Sequence, residues 1–283
     1  MQHLGCVALS PGPSCPRFWN RSKPSSIARS RRFTASVAGG SRWPVDIRID
    51  PHRRRVRDID VGILGVSFDA GVSYWSGARF GPAHIRAASK QLRPFNPEAG
   101  SSPFLAQRLA DLGDLAVNSY DLTTAIDDVE RGARSALDRA SRLLVLGGDH
   151  TIALPVLRAM NAKNGPIAVL HFDAHLDTWH TYFGAPFVHG TLFRKAAKEG
   201  LLDLESSLHV GIRGGLYGPG DIDDDRALGY AHVRSEEIES IGVSGTVERI
   251  HTRLADRPVY ISVDIDVLDP AFAHGPAHLN LAV

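Results

Sequence analysis

Short apolar runs recur along the chain, each bounded by Gly, Pro or Asp and separated by longer amphipathic stretches. The first is Asp60-Val61-Gly62-Ile63-Leu64-Gly65-Val66, and others fall at 142–146, 167–172, 208–212 and 258–263. Runs of this length, rich in Leu and β-branched residues, predict strands buried on both faces. Helical periodicity is predicted between them, over about 81–90, 124–140, 151–162, 191–200, 235–241 and 246–256. Strands alternating with helices imply a mainly parallel sheet covered on both sides, a three-layer α/β/α domain. Residues 1–57 show no sustained period of 2 or 3.6. They are rich in Ser, Pro, Arg and Gly, and Asp46 is their first acid. Such a stretch buries too little apolar surface to offset its chain entropy, so it is expected to be disordered and outside a domain spanning 58–283.

Charge sharpens that division. The 283 residues carry a formal net charge of +1, which looks neutral until it is divided. Residues 1–57 hold twelve basic residues against two acidic ones, whereas the remainder holds twenty against twenty-nine. The basic segment is compatible with plain disorder, with an Arg- and Ser-rich mitochondrial transit peptide, or with a nucleic-acid arm. Prolines at 11, 13, 16 and 24 interrupt any early amphipathic helix. No binding motif accompanies the arm, so no nucleic-acid partner is expected. No apolar stretch reaches the length of a membrane span, so no membrane partner is expected either. Cys6 and Cys15 both lie in the basic segment. The domain therefore has no thiol nucleophile, disulfide or Cys-ligated zinc, which suits a reducing, cytoplasmic setting.

The chemistry lies at strand ends, where ligand sites of open α/β sheets are found. Three strands run into polar sequence: Gly147-Gly148-Asp149-His150, then His171-Phe172-Asp173-Ala174-His175-Leu176-Asp177, then Asp264-Ile265-Asp266-Val267-Leu268-Asp269. In an extended chain Asp173, His175 and Asp177 share a face, as do Asp264 and Asp266. With His150, that brings two imidazoles and four carboxylates to one end of the sheet. At about 5 Å and an effective dielectric near 20, each carboxylate pair repels by roughly 3 kcal/mol. Two divalent cations would neutralise four such charges. A sulfur-free mixture of carboxylate and imidazole points first to manganese, with zinc, iron and cobalt also open. Paired ions activate water near neutral pH, so hydrolysis at a polarised carbon is the expected reaction.

These segments resemble the three signatures of the ureohydrolases, the family of arginases, agmatinases and related guanidino-acid hydrolases. GGDH at 147–150, DAHLD at 173–177 and SVDIDVLDP at 262–270 carry the resemblance, supported by GARFGPAHIR (77–86), HGTLFRKAAKEGLLD (189–203) and HVGIRG (209–214). It extends over roughly 58–273 and favours the agmatinase-like branch. The resemblance implies an arginase-like fold and two Mn2+ ions per subunit. His150, Asp173, Asp177 and Asp264 would hold one ion; Asp173, His175, Asp264 and Asp266 would hold the other, with Asp173 and Asp264 shared. His189 corresponds to the family's active-site histidine, a candidate for proton transfer or substrate contact. The implied reaction is hydrolysis of a small cationic guanidino substrate, agmatine to putrescine and urea, as in polyamine biosynthesis. A guanidino acid is the alternative, with Arg213 a candidate contact for its carboxylate. Family members commonly form homo-oligomers.

One departure is expected to matter. In the family the third signature leads into a Glu-containing segment that contacts the guanidinium, followed by a further strand in the sheet interior and more helix. Here nothing acidic follows Asp269. Read two nucleotides on, with one choice of codons, Ala277–Val283 becomes Thr-Pro-Glu-Pro-Gly-Gly. The reading is therefore of a truncated, frameshifted domain with its last strand missing, sheet edges exposed and little or no activity, or an inactive metal-binding remnant.

Overall fold

The computed structural model describes residues 3–9, 59–182 and 184–273. Its strands are β1 (His3–Leu9), β2 (Ile59–Gly65), β3 (Leu109–Asp114), β4 (Ala140–Leu146), β5 (Ala168–Phe172), β6 (Leu208–Ile212), β7 (Ala231–Arg234) and β8 (Val259–Asp264). The α-helices are α1 (Gly81–Ser89), α2 (Pro103–Ala106), α3 (Leu122–Leu137), α4 (Ala153–Asn164), α5 (Leu192–Lys198), α6 (Asp221–Leu228) and α7 (Ser235–Leu254). One sheet gathers the strands in the order β3-β2-β4-β1-β8-β5-β6-β7. Every neighbouring pair is parallel except the two that β1 makes with β4 and β8.

Alternation along β5 shows how the sheet divides the core. Ile167 and Val169 pack into a cluster with Leu154, Met160 and Phe193, whereas Ala168 and Leu170 join Leu208, Val210, Val233 and Leu254 on the other side. The first cluster lies under α3, α4 and α5; the second lies under α7. Strands sandwiched in this way must be apolar on both faces, which is why their sequences read as continuous runs. Among the described residues, no helix is long and apolar enough to cross a membrane.

The five strands and the main helices expected from periodicity are present. The stretches 235–241 and 246–256 are joined in α7, with a break at Gly242, whose φ of 69° is left-handed. The edge strands β3 and β7 lack a sequence signal: β3 is only partly buried, and the four residues of β7 include His232 and Arg234.

The larger difference is β1. Residues 1–57 read as unpatterned, yet His3–Leu9 forms an interior strand whose register pairs Val7 with Leu144 on one side and with Ile261 on the other. A short apolar run carries no periodicity of its own. It becomes a strand here because β4 and β8, parallel to each other, offer it hydrogen-bonding partners on both sides. The facing edges of β4 and β8 are therefore paired. Residues 10–58 and 274–283, including most of the basic segment and the stretch after the third signature, lie outside the described residues.

Candidate metal centre

β4, β5 and β8 run in one direction and end together. His150 follows β4 as the first residue of a 3-10 turn whose N-terminus is capped by Asp149. Gly71 N donates to Asp149 Oδ2 (2.8 Å) and Thr151 N to its Oδ1 (2.7 Å). Asp173, His175 and Asp177 follow β5 in a loop rather than in extended chain. Asp177 takes a left-handed φ of 54°, a conformation that Asp tolerates better than most residues. Asp264 ends β8 and caps the next turn, accepting from Asp266 N at 3.1 Å. The expected residues thus converge, but tight turns deliver them instead of strand alternation.

Two ligand groups result, and Asp173 belongs to both. His150, His171, Asp173 and Asp177 have ligand atoms within 4.8 Å of one another, as do Asp173, His175 and Asp266. His150 Nδ1 lies 2.8 Å from Asp177 Oδ2 and 3.4 Å from Asp173 Oδ2. His150 Nε2 is held by Ser262 Oγ at 2.7 Å, the kind of outer contact that fixes a ligand imidazole's tautomer. His175 Nδ1 is 3.0 Å from Asp266 Oδ2, although the pair lacks hydrogen-bond alignment. Asp264 falls in neither group, but the charges of Asp266, Asp173 and His150 act on it.

The electrostatics are those of a site that attracts cations. Burial, then the charges of Asp266 and Asp173, push Asp264 well above the carboxylate range. Burial and Asp173 also raise Asp266. Burial disfavours a charged His175, but Asp173 and Asp266 outweigh it and push the ring up to about 11. His150 is raised likewise by Asp173 and Asp177. His171 goes the other way, down to about 4, because burial dominates. Asp177 Oδ1, Asp264 Oδ2 and Asp266 Oδ2 are buried without a hydrogen-bond partner, at a cost that a cation would remove. All donors are nitrogen or oxygen. The residues fit hard-to-borderline divalent cations.

His189 lies outside both groups. It is buried, with Nδ1 2.7 Å from Gly71 O, Nε2 3.4 Å from Ser73 Oγ and its ring against Tyr182. Tyr182, Trp179 and Tyr217 form a cluster of rings beside it. Arg213 is not placed to receive a substrate carboxylate. Its guanidinium donates to the carbonyls of Val267 (3.1 Å), Leu268 (2.9 Å) and Asp266, and reaches Gly211 O at 3.4 Å. It clamps the turn that carries Asp266. Sequence reasoning missed His171, although the same two-residue spacing that groups Asp173 with His175 reaches back to it. Ser262, one strand away, has no local signal.

Comparison with known proteins adds the lineage. A profile of the arginase family matches residues 59–279. A putative agmatinase of Schizosaccharomyces pombe is 38% identical over 77% of this chain and 62% of its own length. A guanidinobutyrase of Pseudomonas aeruginosa is 39% identical over 77% of this chain and 68% of its own. The solved structure of proclavaminate amidinohydrolase from Streptomyces clavuligerus superposes with a TM-score of 0.75 at 37% identity, covering 82% of this chain and 77% of that one. Family profile, identity and fold agree, and the chain belongs to the arginase family.

Proposed function

We propose that this domain is built for dinuclear, manganese-dependent hydrolysis of a guanidino compound, with agmatine as the first candidate and putrescine and urea as products. The observation that carries the reading is the pair of ligand groups sharing Asp173, with three buried carboxylate oxygens left without a hydrogen-bond partner. His150, Asp173, Asp177 and Asp264 would hold one ion and Asp173, His175, Asp264 and Asp266 the other. When bound, the ions would supply activated water and polarisation at the guanidinium carbon.

The chain's own residues would do the rest. Asp173 and Asp264 would be catalytic through their shared position. His189, anchored through Nδ1 to Gly71 O, presents Nε2 for proton transfer to the leaving amine or for substrate contact. The neighbouring rings of Tyr182, Trp179 and Tyr217 would exclude water and suit a cationic, partly apolar substrate. A guanidino acid is the second reading, favoured by the guanidinobutyrase relative. Arg213 no longer supports it, because both of its Nη nitrogens are engaged by carbonyls.

The test is metal content and urea release by the purified protein, comparing agmatine with 4-guanidinobutyrate, with and without Mn2+. Two ions per chain are expected, with any manganese-dependent urea released from agmatine in preference to 4-guanidinobutyrate. Preference for guanidinobutyrate would move the assignment to the second reading, and two bound ions with neither substrate turned over would leave a metal-binding protein. A chain that takes up no manganese would refute the proposal.

A further inference from the structure

One step below the ligands, the sheet carries a second polar layer. Ser262, His171, His209 and His232 lie on adjacent strands β8, β5, β6 and β7 and are direct register partners. Partners in register project from the same face. Phe193 covers this row, with ring centroids 4.5 Å from His171 and 6.0 Å from His209. His171 and His209 are fully buried, and the His232 side chain is 3% exposed. Three buried imidazoles in an apolar layer would be costly without partners.

Two of them, His171 and His209, are joined in series to the carboxylate that both metal groups share. Asp173 Oδ2 lies 2.8 Å from His171 Nε2, and His171 Nδ1 lies 2.7 Å from His209 Nδ1. Beyond His209 stands Asp225 of α6, whose Oδ2 is hydrogen-bonded to His232 Nε2 at 2.6 Å and faces His209 Nε2 at 3.6 Å, outside hydrogen-bond reach, so that it acts on His209 by its charge. Thr178, next to the ligand Asp177, donates to Asp225 Oδ1. Donor accounting sets the direction. A carboxylate only accepts, so His171 must donate from Nε2 to Asp173. In a neutral ring its Nδ1 then accepts, which obliges His209 to donate from Nδ1. Asp173 Oδ1 meanwhile accepts from His175 N at 2.6 Å. Both oxygens of the shared carboxylate are thereby tied.

We propose that His209 and Asp225 are positioning residues which, acting through His171, fix the plane of the Asp173 carboxylate so that it can serve both metal positions. This rests on Asp173 being a shared ligand, as proposed above. The assignment is specific to the β5–β6–β7 row, since outer-layer partners of this type typically govern metal affinity by about 10–100-fold.

The test compares the unsubstituted chain with His209→Phe, His209→Gln and Asp225→Asn. Mn2+ binding is read by calorimetry and by the spin-coupled electron paramagnetic resonance signal of a manganese pair. Circular dichroism and melting with chelator report the fold. His209→Phe keeps ring packing but cannot donate; it is expected to weaken binding by about 10–100-fold and to replace the coupled signal with that of isolated ions. His209→Gln, whose amide can donate, should recover part of both. Asp225→Asn preserves side-chain shape and should weaken binding in the same direction, which keeps the test intact should the Phe variant fail to fold. Parental affinity and a coupled spectrum in folded His209→Phe or in Asp225→Asn would overturn the brace while leaving the proposed function standing. Failure of the unsubstituted chain to bind manganese would refute both.

Discussion

Gly148 offers a sharp test of how the first signature builds the site. A methyl group there would sit 2.1 Å from Phe68 O and 2.8 Å from Val66 O, whereas ordinary contact begins at 3.4 Å. Neither obstacle is a flexible side chain. Phe68 O accepts from Asp149 N at 2.8 Å, and Val66 O accepts from Gly148 N at 3.3 Å. Making room therefore means moving one backbone segment off the other and losing both bonds. Overpacking costs about 1–3 kcal/mol, and two hydrogen bonds add about 1 kcal/mol each. Gly148→Ala is thus expected to lose about 3–5 kcal/mol. Gly215→Ala is the control, because no atom lies within 4 Å of the added carbon; it should stay within about 0.5 kcal/mol of the parent. Urea denaturation of chelator-treated protein measures both. Manganese titration should then show weaker binding in Gly148→Ala, since the displaced segment carries Asp149 and His150. A Gly148→Ala protein as stable as the control would refute the steric argument.

Other expectations follow from single contacts. Ser262→Ala removes the partner 2.7 Å from His150 Nε2 and should lower Mn2+ affinity by about 10–100-fold in a calorimetric titration, with the chelated protein's circular dichroism unchanged. Arg213→Lys offers one ammonium to a set of carbonyls that a planar guanidinium now serves; a loss of about 2–4 kcal/mol in denaturation is expected. Asp225 bears on acid stability. Burial alone would raise its pKa, but the nearby His209 and the hydrogen bonds from His232 and Thr178 prevail and hold it well below its ordinary 3.8. A depressed acid stabilises the fold at pH above its unfolded value and loses that contribution as pH falls through its folded one. Melting temperature measured from pH 5 downward should therefore fall less steeply in Asp225→Asn than in the parent.

The strands that build the site were legible because burial on both faces writes itself as continuous apolar sequence. His150, Asp173, His175, Asp177, Asp264 and Asp266 stood out as candidate ligands for a similar reason, because acids and imidazoles clustered after such strands have few structural uses. Three things were not legible, each for a physical reason. β1 has no local signature, since its pairing comes wholly from β4 and β8, more than a hundred residues away in sequence. Arg213 read as a candidate contact for a substrate carboxylate, because a side chain's partners are chosen by the loop that packs over it. The row of Ser262, His171, His209 and His232 exists only in the register of four strands drawn from separate parts of the chain. Local spacing thus determined which residues could bind metal, and strand order and register decided what holds those residues in place.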